Sequence, residues 1–248
     1  MICQNCEATF ESKFCPDCGQ KSDIHRISIK HIIHDVVHAF THADKGFLLL
    51  VKELLVRPGF VAREFVNGKR KKYFNPLSFL VITSALLAYF SYLTGYLEAL
   101  TAGSTQRAGH MPQLMTETFA IGAKSGKELT LFLMAPLFAF LSWLFFIRSK
   151  YNYAENFALN SFIFGEAAII RTAIFIPLHV IFPELTKQFL YFVYEPLFII
   201  YLVVAFKQFF GGNIFLLILK AILVRILFLV FFWALIFAYV YFKHLIFK

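Results

Sequence analysis

Leu77–Leu97 reads LSFLVITSALLAYFSYLTGYL, and this stretch decides the class of fold. It carries no charged side chain until Glu98, and it matches the ~20 residues a helix needs to cross a hydrocarbon core of ~30 Å. Four more apolar stretches follow at Leu129–Ile147, Phe157–Phe182, Phe189–Phe206 and Ile214–Phe242. The expected architecture is therefore an all-α polytopic membrane protein with five transmembrane helices over residues 77–248. Composition agrees. The chain is 59% hydrophobic, with a mean hydropathy of +0.67, against the ~45–50% apolar content of soluble domains. Pro136, Pro177 and Pro196 fall inside these stretches and predict kinks, because neighbouring helices can re-satisfy the freed carbonyls.

Ahead of the first stretch the sequence is polar and basic. Twelve of the 24 Lys and Arg residues precede Leu77. The N-terminus, MICQNCEATF, lacks the apolar core of a signal peptide. With the N-terminus inside, the inner segments hold 15 Lys and Arg, namely the first 76 residues plus Arg148, Lys150 and Lys207. The outer segments hold 6. The positive-inside rule then predicts a protein of the inner (plasma) membrane with its N-terminus cytoplasmic and, after five crossings, its C-terminus external. The net charge of +9 abuts apolar spans, so an anionic leaflet at the cytoplasmic face explains it better than nucleic acid, which is disfavoured.

All four cysteines lie in Cys3-Gln4-Asn5-Cys6 and Cys15-Pro16-Asp17-Cys18-Gly19. Two C-x-x-C pairs eight residues apart predict two knuckles enclosing one tetrahedral, closed Cys₄ site, which suits structural zinc. Residues 1–22 are too few to build a core, so the metal must supply their folding energy. A reducing cytoplasm argues against disulfides.

Residues 23–76 predict amphipathic helices ending in a basic collar. His31, His34, His38 and His42 are spaced by 3, 4 and 4, so they share one helical face with Asp35 at its edge. Ile32, Ile33, Val36, Val37 and Phe40 cover the other face. A second metal or proton site and the polar side of an interfacial helix both fit that pattern. Lys69, Arg70, Lys71 and Lys72 stand directly before the first span, where each cation gains ~1 kcal/mol against an anionic leaflet and also orients the helix.

The order of a zinc ribbon, then HxxHDxxHxxxHxDKGF, then RPGxxxREFxxGKRKKYxNP, then several crossings resembles a family of bacterial inner-membrane proteins. Those proteins carry a domain of unknown function behind an N-terminal zinc ribbon. The resemblance covers residues 1–80 and implies the layout alone.

Four ionisable residues lie within the spans, where charge normally faces the bundle interior. Depth along the helices pairs Glu166 with Arg225 and Arg171 with Glu195, either as interhelical ion pairs or as a polar path. No nucleophile motif and no glycine-rich phosphate loop is present. The sequence therefore favours a scaffold or accessory protein whose zinc ribbon can engage a protein partner. A transporter or lipid-handling protein using the Glu/Arg pairs comes second, and a metalloenzyme built on the His31–His42 face third.

Overall fold

The computed structural model describes residues 1–24, 26–29, 46–96 and 130–246, with 99, 115, 117 and 118 between them. The histidine stripe at 31–42 and most of the connection 98–128 lie outside the described residues. From Gly46 on the described residues are helical apart from turns and short connections, and residues 1–24 carry turns and two isolated β-bridges.

Two short helices, α1 (Gly46–Val56) and α2 (Pro58–Val66), meet at Arg57. α3 (Pro76–Thr94) follows. Its start is set by Pro76 at the first helical position, where no N–H is needed, and by Asn75, whose side chain accepts from the Leu77 and Ser78 amides. Gly95 ends it in the left-handed conformation, φ 68°. α4 spans Thr130–Phe145. α5 (Tyr153–Ile170) starts in a reciprocal capping box between Asn152 and Glu155.

α5 continues through a π-helical segment, Arg171–Phe175, into α6 (Ile176–Ile181). A turn at Pro183–Leu185 leads to a second π-helical segment, Phe189–Tyr194, and then to α7 (Glu195–Phe210). α8 runs from Ile214 to Ile246. Both π segments have one cause. Pro177 and Pro196 each lie two residues beyond a π segment. A proline has no N–H to donate and its ring clashes with the carbonyl four residues back, so the preceding turn opens. The kinks expected at these prolines thus appear as widened helical turns.

Four helical stretches are long and apolar enough to cross a membrane: Pro76–Thr94, Tyr153–Ile181, Pro183–Phe210 and Ile214–Ile246. They make this a membrane protein. The second expected span is occupied by the shorter helix α4. α5 lies at the centre, and every residue from Ala154 to Ala168 is buried. Ser142 of α4 bridges its polar residues: it donates to the Asn156 side chain at 3.4 Å and accepts from Asn160 at 2.9 Å.

The segment 46–66 lies against the helix bundle. Leu50, Leu54, Val61 and Ala62 are fully buried. Tyr201 of α7 donates to the Leu54 carbonyl at 3.0 Å, and Arg63 Nη2 to the Phe209 carbonyl at 2.6 Å. Gly59 allows this approach, because a Cβ there would overlap the Ala205 carbonyl and stand 2.6 Å from Gln208.

Candidate functional site

The N-terminal module is built twice over. The Cys3 amide donates to the Ala8 carbonyl and the Glu7 amide to the Cys3 carbonyl, both at 2.9 Å. Twelve residues on, Cys15 donates to Gln20 and Gly19 to Cys15. The β-bridges Ile2–Thr9 and Phe14–Lys21 repeat at the same offset. Each knuckle needs a positive φ just after its second cysteine, at Glu7 (66°) and Gly19 (69°). These turns bring the four free thiols within 4.8 Å of one another, with Cys3–Cys18 at 3.6 Å and Cys6–Cys15 at 3.5 Å. A tetrahedron of thiolates at the ~2.3 Å of a metal–sulfur bond has edges of ~3.8 Å, so the cluster fits a metal ion.

The backbone N–H of Cys6 donates to the Cys3 sulfur and draws that thiol down to about 7. The Ala8 N–H favours the Cys6 thiolate, but desolvation and the neighbouring sulfurs outweigh it and push Cys6 up to about 12. The four sulfurs are placed as a metal site needs them, and binding a cation would favour their deprotonation.

The module is anchored to the collar. Gln20 Nε2 donates to the Gly68 carbonyl at 2.8 Å, and Asn5 Oδ1 accepts from the Lys72 amide at 3.1 Å. Behind it, Arg26 holds both oxygens of Glu155 at 2.8 Å, and Asn152 donates to the Ile27 carbonyl at 3.2 Å.

The collar itself is partly turned inward. Lys72 pairs with Glu64 at 3.2 Å and Glu53 at 3.4 Å, and Lys69 lies 4.0 Å from Glu64. Tyr73 donates toward Glu53 (2.6 Å) and Glu64 (2.7 Å), and Arg57 closes the network on Glu53 at 2.6 Å. Burial opposes ionisation of Glu53 and Glu64, but the Tyr73 hydroxyl and the Arg57 and Lys72 cations outweigh it and hold both carboxyls below their usual range. Burial, with the two carboxylates beside it, pushes Tyr73 well above its ordinary value. Lys71 stays exposed.

Within the membrane portion the expected pairing is corrected. Glu195 pairs with Arg225, whose Nη2 donates to both carboxylate oxygens at 2.8 Å. Arg171 instead stands between two rings, Tyr96 at 5.7 Å and Tyr194 at 5.5 Å. Glu166 is fully buried, and neither of its oxygens has a hydrogen-bond partner among the described residues. Depth along each helix does not say which helix faces meet, and at Arg225 α8 meets α7 and not α5. Arg171 opens one π segment and Glu195 follows the other. Such segments recur at functional sites.

The sequence reading missed Tyr96, Tyr194 and His179, which complete the end of the bundle beyond α3. His179 contacts the Thr94 carbonyl at 3.1 Å and Thr186 at 2.7 Å. It also missed Asn5, Gln20 and Arg26. The two prolines were the available signal for the first group. Polar anchors onto backbone leave no sequence signal.

Among known families, residues 44–88 match one described as protein of unknown function (DUF3667). The match covers α1, α2, the collar and most of α3, less than a fifth of the chain. No curated protein and no solved structure matches the chain.

Proposed function

We propose that this is an inner-membrane protein of five crossings, N-terminus cytoplasmic and C-terminus external, that serves as a scaffold or accessory protein through a zinc-held cytoplasmic module. The carrying observation is the anchorage of that module. Gln20 and Asn5 hold it to the backbone just ahead of α3, and Arg26 ties the following segment to the start of α5. A cysteine module fixed in this way offers a rigid surface to a protein partner, with Ile2 and Phe14 exposed at equivalent positions of its two halves. A closed Cys₄ set suits structural zinc and leaves no open position for chemistry.

The five-crossing reading rests on connectivity. α3 ends at Thr94 beside His179, while Lys220 of α8 donates to the Phe145 carbonyl at the end where α5 begins. These contacts support a return of the chain between Thr94 and Phe145, with α4 as the helix that would make it. The excess of Lys and Arg on the N-terminal side supports N-in, and Lys71, which stays exposed, is placed to meet an anionic leaflet there.

Photocrosslinking from Phe14 in cells tests the scaffold. Discrete adducts that vanish with Cys3→Ser/Cys18→Ser support it. A second reading, transport or lipid handling, is favoured by Glu166 with its two unbonded buried oxygens. Proteoliposome flux abolished by Glu166→Gln, with no Phe14 adduct, would put that reading first. A second metal that survives the cysteine changes but not His34→Ala/His38→Ala would put the metalloenzyme first.

A further inference from the structure

Arg171, Arg225 and Glu195 cluster toward the end of the bundle far from the cysteine module. Arg225 engages Glu195, so Arg171 forms no ion pair among the described residues. The Nε atoms of both arginines are buried and have no hydrogen-bond partner among the described residues. The two guanidinium groups face neighbouring rings that stack on each other. Arg171 lies against Tyr194, Arg225 lies against Phe198 at 5.5 Å, and the rings are 5.9 Å apart and tilted by 18°. Among the described residues the cluster thus has an excess positive charge and spare N–H donors in an apolar setting, where an uncompensated charge is costly. An anion supplies what is missing, and the planar fork of arginine matches phosphate best.

Depth identifies the source. α3 has 19 residues, about 28 Å at 1.5 Å per residue, close to the full hydrocarbon thickness. Tyr96 comes just after its Gly95 cap, at the level where headgroups begin, and Arg171 rests on the Tyr96 ring. The site is open from the side. The Arg225 and Glu195 side chains keep 18% and 29% exposure, and Ile174, Phe192 and Ile226 are exposed beside them as apolar surface for acyl chains.

We propose that Arg171 and Arg225 form a binding site for the phosphate of a lipid headgroup at the outer end of α3. The proposal is independent of the scaffold reading. Arg171 and Tyr194, which face each other in the site, are the first residue of one π segment and the last residue of the other.

The test uses the full chain in a neutral detergent, with dimyristoyl phosphatidylglycerol, dimyristoylglycerol and inorganic phosphate as probes. Native mass spectrometry and the thermal midpoint are the readouts. Phosphatidylglycerol should bind and raise the midpoint, and dimyristoylglycerol, with the same chains and no phosphate, should not. Arg171→Gln should weaken binding about tenfold or more, the loss expected for charge-assisted hydrogen bonds. Glu195→Gln should tighten it by freeing Arg225, which keeps the test decisive if Arg171→Gln does not fold. Equal binding to wild type and both variants, or equal binding of dimyristoylglycerol, overturns the site. Inorganic phosphate stabilising as well as phosphatidylglycerol keeps the anion site and overturns the headgroup as its source.

Discussion

Arg225 Nη2 donates to both carboxylate oxygens of Glu195 at 2.8 Å, joining α8 to the first residue of α7. A pair inside a membrane bundle is costly to break from one side, because the survivor is left charged and unpaired. Arg225→Ala should therefore destabilise the protein by about 3–5 kcal/mol, and Arg225→Ala/Glu195→Ala by clearly less. Thermal unfolding of the three proteins in detergent checks this. Equal losses in the single and double variants would show that the stranded carboxylate carries no penalty, against this expectation.

Gly59 sets the distance between α2 and α7. A methyl group there meets the Ala205 carbonyl and the Phe209 amide, both backbone, so no side chain can yield to make room. Gly59→Ala should cost about 1–3 kcal/mol, as overpacking does. It should also loosen the neighbouring hydrogen bond from the Gly59 amide to Gln208 Oε1, now 2.9 Å. Hydrogen exchange over 57–66 should speed up, while exchange in α5 should not.

One zinc per chain is expected by elemental analysis, and none in Cys3→Ser/Cys18→Ser. The helices should remain folded. Trypsin should cut more readily at Lys69–Lys72, because Asn5 and Gln20 no longer hold that backbone. Gly19→Ala separates backbone strain from packing, since a Cβ at Gly19 meets nothing within 4 Å but φ is +69°. Its cost of about 1–2 kcal/mol should appear as metal yielded to a chelator at a lower concentration.

The network around Tyr73 should depend on pH in one direction. Glu53 and Glu64 ionise more easily folded than unfolded, where the reference value is 4.5. Their stabilisation is complete above that value and is lost as pH falls through the lower folded values. The thermal midpoint of wild type should drop below about pH 4.5, and its advantage over Tyr73→Phe should shrink over the same range. A constant advantage down to pH 3 would show that the hydroxyl acts by packing alone.

Uninterrupted apolar runs such as Leu77–Leu97 identify a membrane helix by themselves, since backbone groups in hydrocarbon must be satisfied within the helix. The spacing of Cys3, Cys6, Cys15 and Cys18 was equally direct, because a knuckle is a local object and the structure brings the same four sulfurs together. Pro177 and Pro196 marked interruptions of two helices, again from local chemistry. Which ionisable residues meet was decided only in three dimensions. Which helix faces meet depends on how the bundle packs, so Glu195 reaches Arg225, Arg171 finds two tyrosine rings, and Glu166 has no hydrogen-bond partner among the described residues. The inward turn of Lys72 toward Glu53 and Glu64 is of the same kind. Charge and hydropathy are written residue by residue, but a salt bridge requires two distant segments to arrive at one place, and only the packed bundle determines that.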